Sequence, residues 1–296
     1  MSVVVEFNKV VKDYPGVKAL NFLTFEVSQG EIHGLLGPNG AGKSTALQLI
    51  ASLIKPNSGE IIIKGSIGFL PEKLPLYSHM LVHEQLSFVF GLYQKKYGLT
   101  QENLKKAIQQ LKIEELLKKN TMELSKGQKQ KVALAQVLMT GPDILVLDEP
   151  TSGLDPLAMI EFRELLKRLK GEHTIILSTH LLGEVENLCE SVTLIQRGSA
   201  VASKGISEFK RDWLGGDQYH AIFTRKTTLD LEALEIKFAD LDFENIEEKL
   251  FIRGLACDDE VGELSRFLAL KYSLLHFSKV ELDLGHALKK AMGAQA

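Results

Sequence analysis

The octapeptide Gly37-Pro38-Asn39-Gly40-Ala41-Gly42-Lys43-Ser44 fits the pattern G-x-x-x-x-G-K-[ST]. It follows a strand-like segment, Glu31 to Leu36, and opens a segment of helical periodicity, Lys43 to Leu53. Its glycines let successive backbone N–H groups turn inward around phosphate oxygens, a concavity that larger side chains would block. The N-terminus of the following helix adds its dipole at the same place. In such a loop Lys43 reaches the β- and γ-phosphates, and the Ser44 hydroxyl takes a place on Mg²⁺. Asn39, Gly40, Ala41, Gly42 and Thr45 complete the expected nucleotide contacts. A glycine-rich turn with a surface lysine would need neither flanking element, so the segment reads as a nucleotide site.

Downstream, Ile144-Leu145-Val146-Leu147-Asp148-Glu149 is an apolar run that ends in two acids. A buried strand does not finish in two carboxylates without a reason, because unpaired buried charge is costly. Asp148 is placed to hold Mg²⁺, and Glu149 to polarise a water beside the γ-phosphate. His180 follows the next strand-like run, Thr174 to Ser178. Parallel strands deliver their carboxyl ends to one edge, which puts His180 near the phosphate loop. The other histidines, at 33, 79, 83, 173, 220, 276 and 286, lack that context and read as structural. Leu124-Ser125-Lys126-Gly127-Gln128 opens a helix running to Thr140. Ser125 serves as its cap, but capping alone leaves Gly127 and Gln128 unexplained.

The rest of the chain supplies the frame. Val3 to Phe7, Leu20 to Val27 and Glu60 to Lys64 read as strands bounded by turn residues. Val82 to Tyr97, Gln101 to Lys119 and Gly127 to Thr140 are amphipathic, which predicts a helical subdomain over about 72–141 set between core strands. A helix over Leu157 to Lys170, another over Leu182 to Cys189, and a hairpin turning at Arg197-Gly198 continue an α/β pattern. Beyond Trp213 the composition changes. Strands near Tyr219 to Thr224, Lys249 to Arg253 and Ser273 to Phe277, with helices over Asp258 to Leu270 and Leu282 to Met292, predict a small α+β unit. The expected division is 1–210 and 211–296.

Composition narrows the classes. The 296 residues are 45% hydrophobic and 25% charged, the balance of a globular protein. No apolar run approaches the ~20 residues that span a bilayer. The first residues show neither a basic start nor an apolar core of a secretory signal. Two cysteines, Cys189 and Cys257, make no disulfide framework, and a reducing cytosol is the natural compartment. The net charge is −3, and the tail from Ala221 carries ten Lys and Arg against fourteen Asp and Glu. Neither part is the basic field that drives nucleic-acid binding, so no nucleic-acid partner is expected.

Taken together, residues 3 to 205 resemble the ATP-binding cassette ATPases, a P-loop NTPase fold. Leu124-Ser125-Lys126-Gly127-Gln128 is similar to the family's LSGGQ signature, with Lys126 replacing a glycine. Ser152-Gly153-Leu154-Asp155 resembles its D-loop, His180 its switch histidine and Tyr14 its adenine-stacking aromatic. The resemblance implies ATP and Mg²⁺ as ligands, with Lys43, Glu149 and His180 catalytic. It also implies that one chain is incomplete. Two cassettes pair head to tail, so Ser125, Gly127, Gln128 and Asp155 serve the nucleotide of a second copy, most simply a homodimer. The helical subdomain then docks on separate integral membrane permease subunits, which places the chain at the cytoplasmic face of the membrane. Two departures stand out. Glu72 occupies the position where the family usually carries a glutamine that contacts Mg²⁺, a replacement similar to the ABC-2-type branch of mostly exporters. Only Gly65-Ser66 separates two strands where a longer loop is usual, which predicts a trimmed sheet edge. Val280-Glu281-Leu282-Asp283 and the last helix resemble that branch's C-terminal extension, with a structural or dimer-supporting role. Two alternatives stay open: a soluble cassette ATPase acting on ribosomes or DNA, and a nucleotide-binding regulator that does not turn over.

Overall fold

A computed structural model describes residues 2–209, 218–224, 229–239, 241–246, 249–253, 255 and 258–279. The chain divides into two compact units, Met1–Lys204 and Gly205–Ala296.

The first unit holds two sheets. Strands β1 (Val3–Tyr14), β2 (Val17–Ser28) and β4 (Ser58–Ile63) form an antiparallel sheet in the order β2-β1-β4. Strands β3 (Ile32–Leu36), β5 (Ile67–Leu70), β6 (Ile144–Leu147), β7 (Thr174–Thr179), β8 (Ser191–Gln196) and β9 (Ser199–Gly205) form a second sheet, ordered β5-β6-β7-β3-β8-β9. In it β5, β6, β7, β3 and β8 run parallel. β3, β6 and β7 are buried at every residue, which explains why they read as unbroken apolar runs rather than as alternation. Helix α1 (Lys43–Ile50) packs Ala46, Leu47 and Ile50 into the core shared with Phe7, Phe25, Leu35 and Val146. The stacked rings of Phe7 and Phe25 lie 4.6 Å apart. β8 returns to β9 through Arg197 and Gly198, both at positive φ (49° and 80°), the pattern of a two-residue I′ hairpin.

Between β5 and β6 the described chain carries helices α2 (Val82–Tyr97), α3 (Gln101–Leu111) and α4 (Lys126–Leu138) with two short 3₁₀ turns. Helices α5 (Pro156–Leu169) and α6 (Leu182–Leu188) flank β7 in sequence. The second unit is an antiparallel sheet ordered β11-β12-β10-β13, from β10 (Gln218–Phe223), β11 (Asp242–Ile246), β12 (Lys249–Arg253) and β13 (Leu274–Lys279). Helices α7 (Leu231–Lys237) and α8 (Asp258–Lys271) bury Leu234, Leu264 and Leu268 with Tyr219, Ala221, Leu250 and Ile252.

The structure departs from the sequence reading in several elements. β1 continues to Tyr14 instead of stopping at Phe7, because a bulge at Lys9 (φ 49°) interrupts the alternation and then resumes it with Val10 inward. β2 likewise begins at Val17 and passes through Phe22 at φ 53°. α1 ends at Ile50, not Leu53, since Ser52 turns left-handed (φ 56°). α3 ends at Leu111, where Lys112 does the same (φ 53°), rather than running to Lys119. α7 and β11 had no counterpart in the sequence reading. The expected helix over Leu282 to Met292, the Val280 to Asp283 segment and Cys257 lie outside the described residues.

Candidate functional site

The parallel sheet fixes the site. Leu36 is in register with Thr179, and Leu147 with both Leu177 and Leu70. The residues that follow these strand ends (Gly37, Glu72, Asp148 and His180) therefore emerge along one edge of the sheet, where open α/β sheets bind ligands.

The phosphate loop is shaped by backbone, not by side chains. Gly42 has φ 108°, and a Cβ there would lie 2.5 Å from the Ala19 carbonyl oxygen. Lys43 opens α1 and is buried. Its Nζ donates to the carbonyls of Gly37 (2.8 Å) and Pro38 (3.2 Å) and pairs with Glu149 Oε1 at 3.4 Å. Ser44 Oγ donates to Asp148 Oδ1 at 3.0 Å, and Ser178 Oγ donates to the same oxygen at 2.6 Å. Glu149 is held at φ 46°, a conformation that an L side chain rarely adopts. Its N–H donates to Ser178 Oγ (2.9 Å), and its Oε2 lies 2.8 Å from His180 Nδ1. One carboxylate is thus bracketed by a lysine and a histidine, and its neighbour by two hydroxyls.

The donors around Asp148 suit a hard cation. A serine hydroxyl and a carboxylate are the oxygen ligands Mg²⁺ takes when substrate phosphates and water fill its other positions. Glu72 is exposed two residues beyond β5, whose Leu70 carbonyl accepts from the Asp148 N–H at 2.9 Å. Tyr14 ends β1 at the hairpin tip opposite Val17. The residue is 40% exposed, with Lys12 Nζ 5.3 Å from its ring centroid.

A separate group forms where α4 and α5 begin. Ser125 and Gln128 make a reciprocal capping box, Gln128 N to Ser125 Oγ at 3.2 Å and Ser125 N to Gln128 Oε1 at 3.0 Å. Asp155 caps α5, accepting from Ala158 N at 2.9 Å. A Cβ on Gly127 would lie 3.1 Å from that of Ala158, so the two helix starts are packed together. Lys126 reaches over Gly153, where a Cβ would meet its Nζ at 2.5 Å. The side-chain hydrogen bonds of Ser125, Gln128 and Asp155 are local, within three residues. Of the site residues inferred from sequence, Lys43, Ser44, Asp148, Glu149 and His180 come together at the sheet edge and Ser125, Gly127, Gln128 and Asp155 form a second group, while Tyr14 and Glu72 are tied to neither by a side-chain hydrogen bond or ion pair among the described residues.

Sequence reasoning missed Ser178 and a buried cluster beyond it. Glu184, on α6, is 2% exposed and accepts hydrogen bonds from the hydroxyls of Thr151 and Thr179. Burial pushes its pKa up, partly offset by the Thr179 hydrogen bond and by the charge of Arg163. The hydroxyls of Ser178-Thr179 directly before His180 were the available signal. His33 is buried between the hydroxyls of Ser191 (2.7 Å) and Thr193 (2.9 Å), a satisfied core histidine.

With this geometry in place, comparison with known proteins defines the class. The family model described as ABC transporter matches residues 20–152. Over 287 residues the chain is 30% identical to the "Uncharacterized ABC transporter ATP-binding protein YcbN" of Bacillus subtilis, covering 91% of this chain and 90% of that one. It is 33% identical over 228 residues to the "Probable multidrug ABC transporter ATP-binding protein YbhF" of Escherichia coli, covering 73% of this chain and 39% of YbhF. A solved structure of an ATP binding subunit of an ABC transporter superposes with TM-score 0.62 at 28% identity, over 80% of this chain and 99% of that one. The chain belongs to the ABC transporter ATP-binding protein family. It has the mixed α/β fold of that family's cassettes, which bind and hydrolyse ATP.

Proposed function

We propose that the chain is the ATP-hydrolysing subunit of an exporter, working as a homodimer on separately encoded permease chains at the cytoplasmic face of a membrane. The observation that carries the hydrolytic part of this reading is the cluster at the sheet edge, in which Lys43 and His180 flank Glu149 while Ser44 and Ser178 converge on Asp148. Lys43 has a ready exchange. The loop carbonyls and Glu149 that it now holds give way to β- and γ-phosphate oxygens, a stronger charge-assisted set. That exchange frees Glu149 to accept a proton from water, and His180 holds the carboxylate in place. Ser44, Asp148 and Glu72 would hold Mg²⁺, which neutralises developing phosphate charge when bound. Asn39, Gly40, Ala41, Gly42 and Thr45 line the phosphates, and Tyr14 offers a ring face to the base. Ser125, Gly127, Gln128 and Asp155 face the nucleotide of the second copy.

Export is supported by the family branch that Glu72 suggests and by the name of YbhF, a probable multidrug transporter component. The domain division into 1–210 and 211–296, with the helical subdomain over about 72–141, belongs to the same proposal. It is supported by the units Met1–Lys204 and Gly205–Ala296 and by the helices between β5 and β6. Among the described residues no helix is long and apolar enough to cross a membrane, and the proposal assigns the membrane path to a partner chain. The test is affinity capture of the ATP-loaded Glu149→Gln protein from gently solubilised cells. The reading expects a polytopic membrane protein in stoichiometric amount. Ribosomal or DNA-bound partners without one would replace it with a soluble remodelling ATPase.

A further inference from the structure

Glu184 lies outside the cluster that handles the nucleotide, yet it sits where two of that cluster's supports meet. It is nearly inaccessible, and each of its carboxylate oxygens accepts from a different hydroxyl: Oε1 from Thr151 and Oε2 from Thr179. Thr151 lies two residues after Glu149 and begins the turn that leads to Asp155. Thr179 directly precedes His180. Thr151 and Thr179 are themselves buried, and Thr179 Oγ1 also accepts from the Leu181 N–H at 3.0 Å, tying the segment around His180 into α6. An ionised carboxylate accepts from both hydroxyls at once. The charge of Arg163 on α5 favours its ionised form and that of Glu149 opposes it. Among the described residues the Arg163 Nε is buried without a hydrogen-bond partner, while its Nη2 donates to Met159 Sδ at 3.1 Å.

A carboxylate that served only the core would be costly here, and an apolar side chain would fill the volume with less penalty. The geometry points to a positioning role: we propose that Glu184 clamps Thr151 to Thr179 and so fixes the spacing between Glu149 and His180 for hydrolysis. The clamp touches no substrate and acts through those two residues. The inference rests on the roles proposed above for Glu149 and His180.

The test uses the full chain and steady-state hydrolysis of Mg-ATP, with separately measured ATP binding. Glu184→Ala is expected to lower kcat by about 10- to 100-fold with KM within about threefold, because only orientation is lost. Glu184→Asp recovers part of that loss. In a double-mutant cycle, Glu184→Ala is expected to change kcat by less than about twofold once His180 is already Ala, since the clamp works through that side chain. Thr151→Val and Thr179→Val, nearly isosteric, each remove one donor and should lower kcat several-fold; they carry the test if Glu184→Ala does not fold. An effect fully additive with His180→Ala, or full kcat in Glu184→Ala and both threonine variants, overturns the clamp. Glu149→Gln serves as the separate control. If it hydrolyses ATP at the wild-type rate, the site assignment itself fails, whatever the clamp variants do.

Discussion

The buried pair of Lys43 and Glu149 is the most consequential contact at the scale of single residues. Both side chains are largely removed from solvent, so neither charge tolerates the loss of the other cheaply. Lys43→Ala removes three interactions at once and, on the proposed roles, the phosphate ligand as well. The expected result is a loss of ATP affinity of about 10- to 100-fold, the worth of one or two charge-assisted hydrogen bonds, read by titration with a fluorescent nucleotide. His180→Ala instead leaves the loop intact. It should hold ATP affinity near wild type while kcat falls by about 100-fold or more, the usual scale for a group assisting proton transfer. Cys189 makes a contrasting prediction. Burial, with the negative charges of Glu184 and Glu31 behind it, pushes its thiol pKa well up, so it should resist alkylation until the chain unfolds. Mass spectrometry after iodoacetamide treatment checks this at one site.

At the scale of elements, the loop and the strand ends carry the stability that holds the site. Gly42 and Gly40 both lie at positive φ, but only Gly42 has neighbours in the way, the Ala19 carbonyl and Leu20. Gly42→Ala is therefore expected to destabilise the protein clearly more than Gly40→Ala, whose cost is the left-handed backbone alone, about 1–2 kcal/mol. Urea denaturation of the two variants makes the comparison. Asp143 pins the start of β6 to that of β5 by accepting from Ser66 N and Ser66 Oγ, both at 2.7 Å. Those two bonds hold its pKa below the ordinary aspartate value of 3.8. A lowered folded-state pKa gives stability that is present above 3.8 and lost as the pH falls through the lower folded value. Asp143→Asn should accordingly lower Tm near neutral pH, and its difference from wild type should close in acid. These elements also show what could be read in advance. β3, β6 and β7 were legible because burial on both faces leaves continuous apolar runs, and their chemistry sits just past each end. β1 was read short because a bulge breaks the period of two, a backbone event with no distinctive residue at Lys9. Beyond the Ser178-Thr179 hydroxyls, the Glu184 cluster was not legible because Thr151, Thr179 and Glu184 meet only after β6, β7 and α6 are packed.

The whole molecule poses the question of completeness. Ser125, Gln128 and Asp155 satisfy their own helix starts, and none of their side-chain bonds reaches Lys43 or Glu149. Their proposed partner is the nucleotide of a second copy. The Glu149→Gln protein should therefore be monomeric without nucleotide and dimeric with ATP, measured by light scattering after size exclusion. Ser125→Arg, at an exposed position, should prevent that dimer while leaving nucleotide titration of the monomer unchanged. Both expectations depend on one claim, that the cluster at the sheet edge hydrolyses ATP through Glu149. Turnover of saturating Mg-ATP by wild type and Glu149→Gln tests it most directly. The account predicts that the variant binds ATP at least as well as wild type but turns it over at least about 100-fold more slowly. Equal turnover in the two proteins would contradict it.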